Sequence, residues 1–340
     1  MTKIIDLDGS GGGKGYPLHF HNTKGVNVVM RDWHNSGVVK LYLEGATFSN
    51  GSTEMIYDSG SKELITEEYF TIWVQYPNRI DRLGNQNGSF LYYKGDDTGV
   101  EMVDVNELSV FTELLSLDLR TECSHGYLDL GVFTKLEAIN LAGNKGCTFG
   151  NATSQKLKVV YAPNVRNARI SVKSPVLSLL IAPNGFVRGE KLGDMTCQDT
   201  LARITSYLAS GIKGKISDLS AFNKLAWLEM KSSDIEGNIT DLNKNVTTFI
   251  FDSSLSVNYV TSGEKIMDAI NMFSIKDVPL KTSTIDNLLI SLSKSTINSG
   301  AVINLKGTRS STSDAAYTAL VSAGATINID TEQDFNEYAC

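Results

Sequence analysis

The spacing of apolar residues changes along this chain and divides it into segments with different predicted structures. Before residue 100, short runs of β-branched and aromatic residues lie between clusters of Gly, Asn and Asp. Such runs are typical of β-strands, and they predict strands at residues 38–43, 69–76 and 89–93. We therefore predict an all-β, sandwich-like domain over residues 19–105, preceded by a flexible N-terminal arm over residues 1–18.

A repeat with a period of 20–24 residues begins after residue 105. Residues 110–119 (VFTELLSLDL) align with residues 132–141 (VFTKLEAINL) at an offset of 22, and both contain LxxLxL. Looser copies follow at Leu157 and Leu177, and residues 211–219 match residues 234–242 at an offset of 23. This period is that of leucine-rich repeats. We predict an irregular leucine-rich-repeat solenoid over residues 106–262, in which residues 185–200 depart from the pattern.

The repeat pattern also predicts a surface. Apolar residues of each short strand alternate inward, and neighbouring repeats must stack because no single repeat buries its own core. The outward residues have no common charge sign, which favours protein or glycan contacts. These residues are Ser116 and Asp118, Glu137 and Asn140, Lys158 and Tyr161, Ser178 and Ile181, Trp227 and Glu229, and Thr248 and Ile250.

Three of these outward residues, Tyr161, Trp227 and Glu229, are candidate binding residues. An exposed Trp on a repeat face is a typical contact residue. The alternative is a register shifted by one residue, which would place Trp227 in the core.

The end of the chain has a third pattern. Residues 284–293 have helical spacing, residues 301–305 and 326–329 resemble strands, and a second helix runs from an N-cap at Ser313 to Gly324. We predict an α/β cap over residues 263–340. The predicted fold class is thus β-rich and multidomain: an all-β, sandwich-like domain, a leucine-rich-repeat solenoid and an α/β C-terminal cap.

Composition excludes several classes. The 340 residues carry a net charge of −7, which argues against nucleic-acid binding, and the apolar runs are too short for a membrane span. The N-terminal sequence lacks the pattern of a secretory signal. No two of the cysteines have CxxC spacing, which predicts free thiols in a reducing cytoplasm. They are Cys123, Cys147, Cys197 and Cys340.

Candidate chemistry is sparse. Residues 9–15 are rich in Gly, but Gly15 follows Lys14 where a phosphate-binding loop has Ser or Thr. Asp6 and Asp8 suggest a calcium loop, but its closing Glu is absent. His19, His21 and His34 suggest a metal site, with surface or hydrogen-bonded histidines as the alternative. We find neither a nucleophile elbow nor a catalytic carboxylate pair, so we predict no catalytic residues, no cofactor and no metal.

Four aromatic residues of the N-terminal domain, including the candidate binding residues Trp73 and Tyr76, have side chains that can stack on sugars. The alternative is that they belong to the core. The other two are Tyr92 and Tyr93.

Residues 106–330 resemble leucine-rich-repeat proteins of phages and mobile elements that infect Bacteroidales, including crAss-like phages. The resemblance lies in the GxIxDL-then-strand repeats and in KGTRSSTSDA (306–315) followed by LVSAGATI (320–327). It implies a non-enzymatic virion protein, a head- or tail-associated fibre or accessory protein, made in the host cytoplasm.

The implied partners are other virion proteins and a host surface glycan or protein, and the implied state is a homo-oligomer. The alternatives are a bacterial surface leucine-rich-repeat adhesin or binding module, which needs export, and a polysaccharide depolymerase.

Overall fold

The computed structural model is β-rich, with 44% of its residues in strands, as the sequence predicted. The chain divides into two compact units, Met1–Leu177 and Ser178–Cys340. The structure describes residues 14–31, 33–58, 60–84, 90–94, 99–119, 126–142, 147–150, 152–162, 174–181, 191–206, 212–231, 234–252 and 256–330.

The first unit contains an antiparallel sheet and two sets of parallel strands. Within the described residues, the antiparallel sheet has the order β5-β4-β6-β1-β9, and β2 joins β6 to β8. The strands of this unit are β1 (Tyr16–His21), β2 (Val28–Met30), β3 (His34–Asn35), β4 (Val39–Phe48), β5 (Glu54–Tyr57), β6 (Lys62–Gln75), β7 (Ile80–Leu83), β8 (Leu91–Tyr93), β9 (Glu101–Met102), β10 (Ser116–Asp118), β11 (Tyr127–Leu128), β12 (Ala138–Asn140), β13 (Thr148–Phe149) and β14 (Val159–Tyr161).

The antiparallel sheet buries one face. Phe20 of β1 lies opposite Phe70 of β6, and their rings stack with centroids 5.3 Å apart. Trp33 is fully buried and packs against Phe90 and Phe111. Strand β3 of the same segment pairs with β7, and β7 pairs with β10 instead of with this sheet. The sandwich remains a prediction.

Strand β1 begins at Tyr16, inside the segment predicted as a flexible arm. Gly15 precedes it with φ +97°, and a Cβ atom there would lie 2.4 Å from the carbonyl oxygen of Val74. Only glycine tolerates both this backbone conformation and this close approach. Residues 16–18 therefore belong to the antiparallel sheet and not to a flexible arm.

The aligned repeats of the first unit form a ladder of parallel strands. Leu117 pairs with Ile139, and Ile139 pairs with Val160, at the offset of the sequence alignment. All three side chains are buried. The parallel strands have the order β7-β10-β12-β14 in this unit, β3 pairs antiparallel with β7 at the edge, and β11 and β13 form a separate parallel pair.

Turns between the strands are tied by polar side chains that point back to the preceding turn. Ser154 Oγ lies 2.7 Å from the carbonyl oxygen of Leu136, and Ser174 Oγ lies 2.7 Å from that of Leu157. Both hydroxyls donate to backbone carbonyls of residues outside the strands, and buried backbone carbonyls need hydrogen-bond partners.

The second unit contains a longer parallel ladder with the order β15-β16-β18-β20-β22-β23-β24, and a parallel set β17-β19-β21. Strands β22 to β24 belong to this ladder although they lie in the segment predicted as the cap. The elements are β15 (Leu179–Ile181), β16 (Arg203–Ser206), β17 (Lys213–Lys215), β18 (Trp227–Lys231), β19 (Asp234–Asn238), β20 (Thr248–Asp252), β21 (Val257–Asn258), β22 (Ala269–Leu280), α1 (Thr282–Leu292), β23 (Thr296–Gly307), α2 (Asp314–Ser322) and β24 (Thr326–Asp330).

Both predicted helices are confirmed. Helix α1 buries the apolar face expected from its spacing, and Gly324 follows α2 with φ +97°, as a C-terminal stop. Ser313 is the N-cap residue of α2, but its side chain accepts no hydrogen bond from the helix backbone, and its hydroxyl donates to Asp286 Oδ1 at 2.6 Å. Among the described residues, no helix is long and apolar enough to cross a membrane.

Short 3₁₀ helices occur in both units. In several of them a buried apolar residue begins the turn and faces the core. They are Pro77–Arg79, Val105–Val110, Leu130–Val132, Leu192–Asp194, Ile216–Ala221, Ile239–Asp241 and Ser311–Ser313.

Candidate functional site

The main candidate site is the outward surface of four adjacent parallel strands in the second unit, here called the repeat face. The strand register places its side chains in two rows. The first row is Arg203, Trp227, Thr248 and Met272, and the second is Thr205, Glu229, Ile250 and Ser274.

Trp227 is held from both sides on this face. The guanidinium of Arg203 lies over its ring, 4.0 Å from the centroid, and Trp227 Nε1 donates to Glu229 Oε2 at 3.3 Å. The neighbouring Leu228 is fully buried. The outward register is therefore correct, and the alternative that placed Trp227 in the core is wrong.

The side chains of the repeat face differ in size and in exposure to solvent. Arg203, Trp227 and Met272 are half-buried, whereas Thr248, between the last two in the first row, is only 1% exposed. Thr205 and Ser274 of the second row are also buried. Glu229 and Ile250 are buried too, so Arg203, Trp227 and Met272 are the partly exposed side chains of the two rows.

Glu229 differs from the sequence prediction. It lies in an outward position, as expected, but it is only 8% exposed. Its carboxylate accepts the indole N–H of Trp227, so its direct role is to orient that ring. Arg203 was not predicted, because residues 185–200 interrupt the repeat pattern. The segment Leu201-x-x-Ile204 was the signal that could have found it.

Tyr161, the third repeat candidate, lies in the first unit. It is on β14, next to Asn140 of β12 in the register, and it is 37% exposed. Nearby outward residues contact one another: Asn140 Nδ2 donates to Asp118 Oδ2 at 3.2 Å, and Lys158 Nζ lies 2.7 Å from Glu137 Oε2. The hydrogen bond from Lys158 holds the pKa of Glu137 below its usual value.

Trp73 lies on the outward face of the antiparallel sheet, where the register places it between Pro17 and Tyr42. Lys14 Nζ lies 5.9 Å from its ring centroid. Lys14 also pairs with Glu44, and this hydrogen bond holds the pKa of Glu44 below its usual value. Trp73 is half-buried, which leaves part of the ring open to solvent.

The other predicted sugar-stacking residues have different environments. Tyr76 has φ +64° at the start of a 3₁₀ turn, and Arg79 lies over its ring at 4.4 Å. Arg31 covers Tyr92 at 3.9 Å. Tyr93 is buried, with its hydroxyl 3.0 Å from Thr23 Oγ1, so for this residue the core interpretation is correct.

Two of the histidines that suggested a metal site lie on β1 and have glutamate partners. His21 stacks on Tyr69 with centroids 4.4 Å apart, and its Nδ1 lies 3.1 Å from Glu101. His19 binds Glu107 through both its ring and its backbone N–H. Burial raises the pKa of Glu107, although the hydrogen bonds from His19 act to lower it.

His34 lies on β3, 2.7 Å from Asp81. In the described part of the chain, no cluster of three or more His, Cys, Asp or Glu residues is arranged to hold a metal ion.

The remaining candidates are only partly described. Cys147 and Cys197 are buried, and burial raises the pKa of the Cys197 thiol to about 11. Cys123, Cys340, Asp6 and Asp8 lie outside the described residues, as does most of the glycine-rich segment.

Comparisons with known proteins show only weak similarity to solved structures. No family model and no curated protein matches the chain. A similar solved structure is the crystal structure of the LRR ectodomain of the plant membrane receptor kinase GASSHO1/SCHENGEN3 from Arabidopsis thaliana, in complex with CASPARIAN STRIP INTEGRITY FACTOR 2. The match has 11% identity and a TM-score of 0.26, and it covers 66% of this chain and 28% of that one. A likeness at this level carries no argument about function.

Proposed function

We propose that this chain is a non-enzymatic structural protein of a phage virion, and that its leucine-rich repeats present a contact surface for another virion protein or a host surface glycan. The observation that carries the contact role is the cluster of Arg203, Trp227 and Glu229 on the repeat face. Trp and Arg are the residue types that most often dominate binding energy at interfaces.

The cluster suits binding because it is ordered in advance. An aromatic side chain that is already fixed loses little conformational freedom when a ligand binds, and this loss is a main cost of association. Arg203 and Glu229 restrict the Trp227 ring from two sides. The ring then offers a flat apolar surface to a sugar ring or an apolar side chain.

The parallel ladders support the repeat solenoid that this function needs. The strands recur every 20–24 residues, and within each strand inward residues alternate with outward ones. The outward residues of successive strands therefore form a continuous surface, which a single strand cannot provide.

The contact role is tested with labelled full-length protein and two probes: host Bacteroidales cells, and the proteins of dissociated virions separated on a membrane. We expect binding to one of them and a loss of about tenfold in Trp227→Ala, the range of a moderate hot spot. Arg203→Lys keeps the charge but not the planar stacking group, so it should also weaken binding.

The matched control is Tyr127→Ala, which removes an aromatic side chain that is 52% exposed outside the repeat face. It should bind like the wild type. Circular dichroism must show all variants folded. Equal binding by Trp227→Ala and wild type would reject the repeat face as the contact surface.

A further inference from the structure

The last strand of the second unit, β24, has an open edge. It pairs with β23 at five successive positions without a bulge, and within the described residues no strand pairs with its other side. An open edge presents N–H and C=O groups that readily pair with another strand. Proteins usually protect such edges with charges, proline or a bulge. The three central residues Ile327, Asn328 and Ile329 supply none of these.

The apolar layer of the ladder is also left open at β24. Ile303 and Leu305 of β23 are fully buried, but Ile327 and Ile329, their neighbours in the register, are half-exposed. With Thr308, Arg309 and Tyr317, these two isoleucines line an open groove of about 440 Å³. In repeat proteins, apolar residues exposed at a terminal unit of this kind need to be covered by a capping element or a partner.

We propose that a second copy of this chain covers the edge, with the two β24 strands paired antiparallel across a twofold axis at Asn328. The sequence Thr-Ile-Asn-Ile-Asp is self-complementary about that residue. The pairing places Ile327 opposite Ile329 of the second copy, twice, which extends the apolar layer. It places Thr326 opposite Asp330 of the second copy, where a hydroxyl can donate to a carboxylate.

Asn328 suits the centre of such a pair. Its Nδ2 donates to Asn304 Oδ1 at 2.8 Å, so one N–H of the amide already pairs with the neighbouring strand β23. A side-chain amide carries a second N–H and an acceptor oxygen, so two facing amides can bond to each other. The twofold arrangement closes after two copies, whereas parallel addition of strands would continue into a filament.

The first test measures association of the full-length chain by sedimentation velocity, up to about 1 mM protein. We expect a concentration-dependent dimer that is weak, because one strand edge buries less than the ~1,200 Å² of a stable interface. Asn328→Lys places two lysines directly opposite each other across the twofold axis and should weaken the dimer about fivefold. Thr326→Lys adds the same charge opposite Asp330 and should tighten it about threefold.

The second test is disulfide cross-linking with peptide mapping by mass spectrometry. Directly opposite residues in an antiparallel pair have Cα atoms about 4.5–5.5 Å apart, within disulfide reach, so Asn328→Cys should cross-link. Thr326→Cys is the matched control, because its two copies would lie about 14 Å apart.

A chain that stays monomeric throughout would overturn the proposal. Filaments, a dimer that does not form the cross-link through Asn328→Cys, or equal effects of the two lysine variants would overturn it as well. None of these results bears on what the repeat face binds, so the proposal stands or fails independently of the proposed function.

Discussion

Trp227 and Leu228 are adjacent residues that face opposite sides of the ladder, so truncating each tests the strand register directly. Leu228 is fully buried between Ile204 and Phe249 of the neighbouring strands, which are also fully buried. Leu228→Ala removes a core side chain and leaves a cavity, which should lower the free energy of unfolding by about 3 kcal/mol.

Trp227→Ala should cost less. The ring is half-buried, and its stacking with Arg203 contributes about 0.5–1 kcal/mol. With the buried part of the ring included, we expect a loss of about 2 kcal/mol. The difference between the two variants is therefore about 1 kcal/mol, or roughly 2–4 °C in Tm for a unit of this size.

The assay is urea unfolding of both variants and the wild type, followed by far-ultraviolet circular dichroism. Equal slopes against urea would show that the change in midpoint reports stability. A Trp227→Ala variant as destabilised as Leu228→Ala, or more so, would mean that the indole is a core residue. The repeat face would then be wrongly placed.

The remaining predictions concern Asp286 of α1, which accepts hydrogen bonds from Ser310 and Ser313 while nearly fully buried. Asp286→Ala should cost about 3 kcal/mol in urea unfolding, since it removes three bonds to a charged acceptor, whereas the exposed Asp268→Ala should cost less than about 1 kcal/mol. Burial alone would raise the pKa of Asp286, but the serine hydrogen bonds outweigh it and hold the pKa below its usual value. This contribution is therefore present above the unfolded pKa of about 3.9 and is lost as the pH falls through the lower folded pKa, so the difference between wild type and Asp286→Ala should shrink in acid. A difference that stays constant down to pH ~2 would contradict this assignment.

Periodic features of the fold could be predicted from the sequence. The alignment of residues 110–119 with 132–141 places Leu117 beside Ile139, and the structure pairs these residues. The apolar face of α1 followed in the same way from its spacing. Both cases depend on burial of side chains at regular intervals, which a single sequence displays directly.

Features that depend on side-chain partners distant in sequence could not be predicted. Ser154 and Ser174 each stand three residues before a repeat leucine, but their hydrogen bonds to the previous turn appear only once the repeats are stacked. Glu229 was correctly placed on the outward surface, yet its burial depends on neighbours in other strands. The ordered pairing of Tyr16 with Val74 was missed because glycine-rich sequence suggests flexibility, while Gly15 here permits a close backbone contact.

Quantitative mass spectrometry of purified Bacteroidales phage particles tests the central claim most directly. The proposal predicts that peptides of this chain copurify with the capsid and tail proteins through a density gradient, at a constant ratio to them across the particle peak. Absence from the particles would contradict a virion role, and recovery in the outer-membrane fraction of uninfected cells would favour the adhesin alternative.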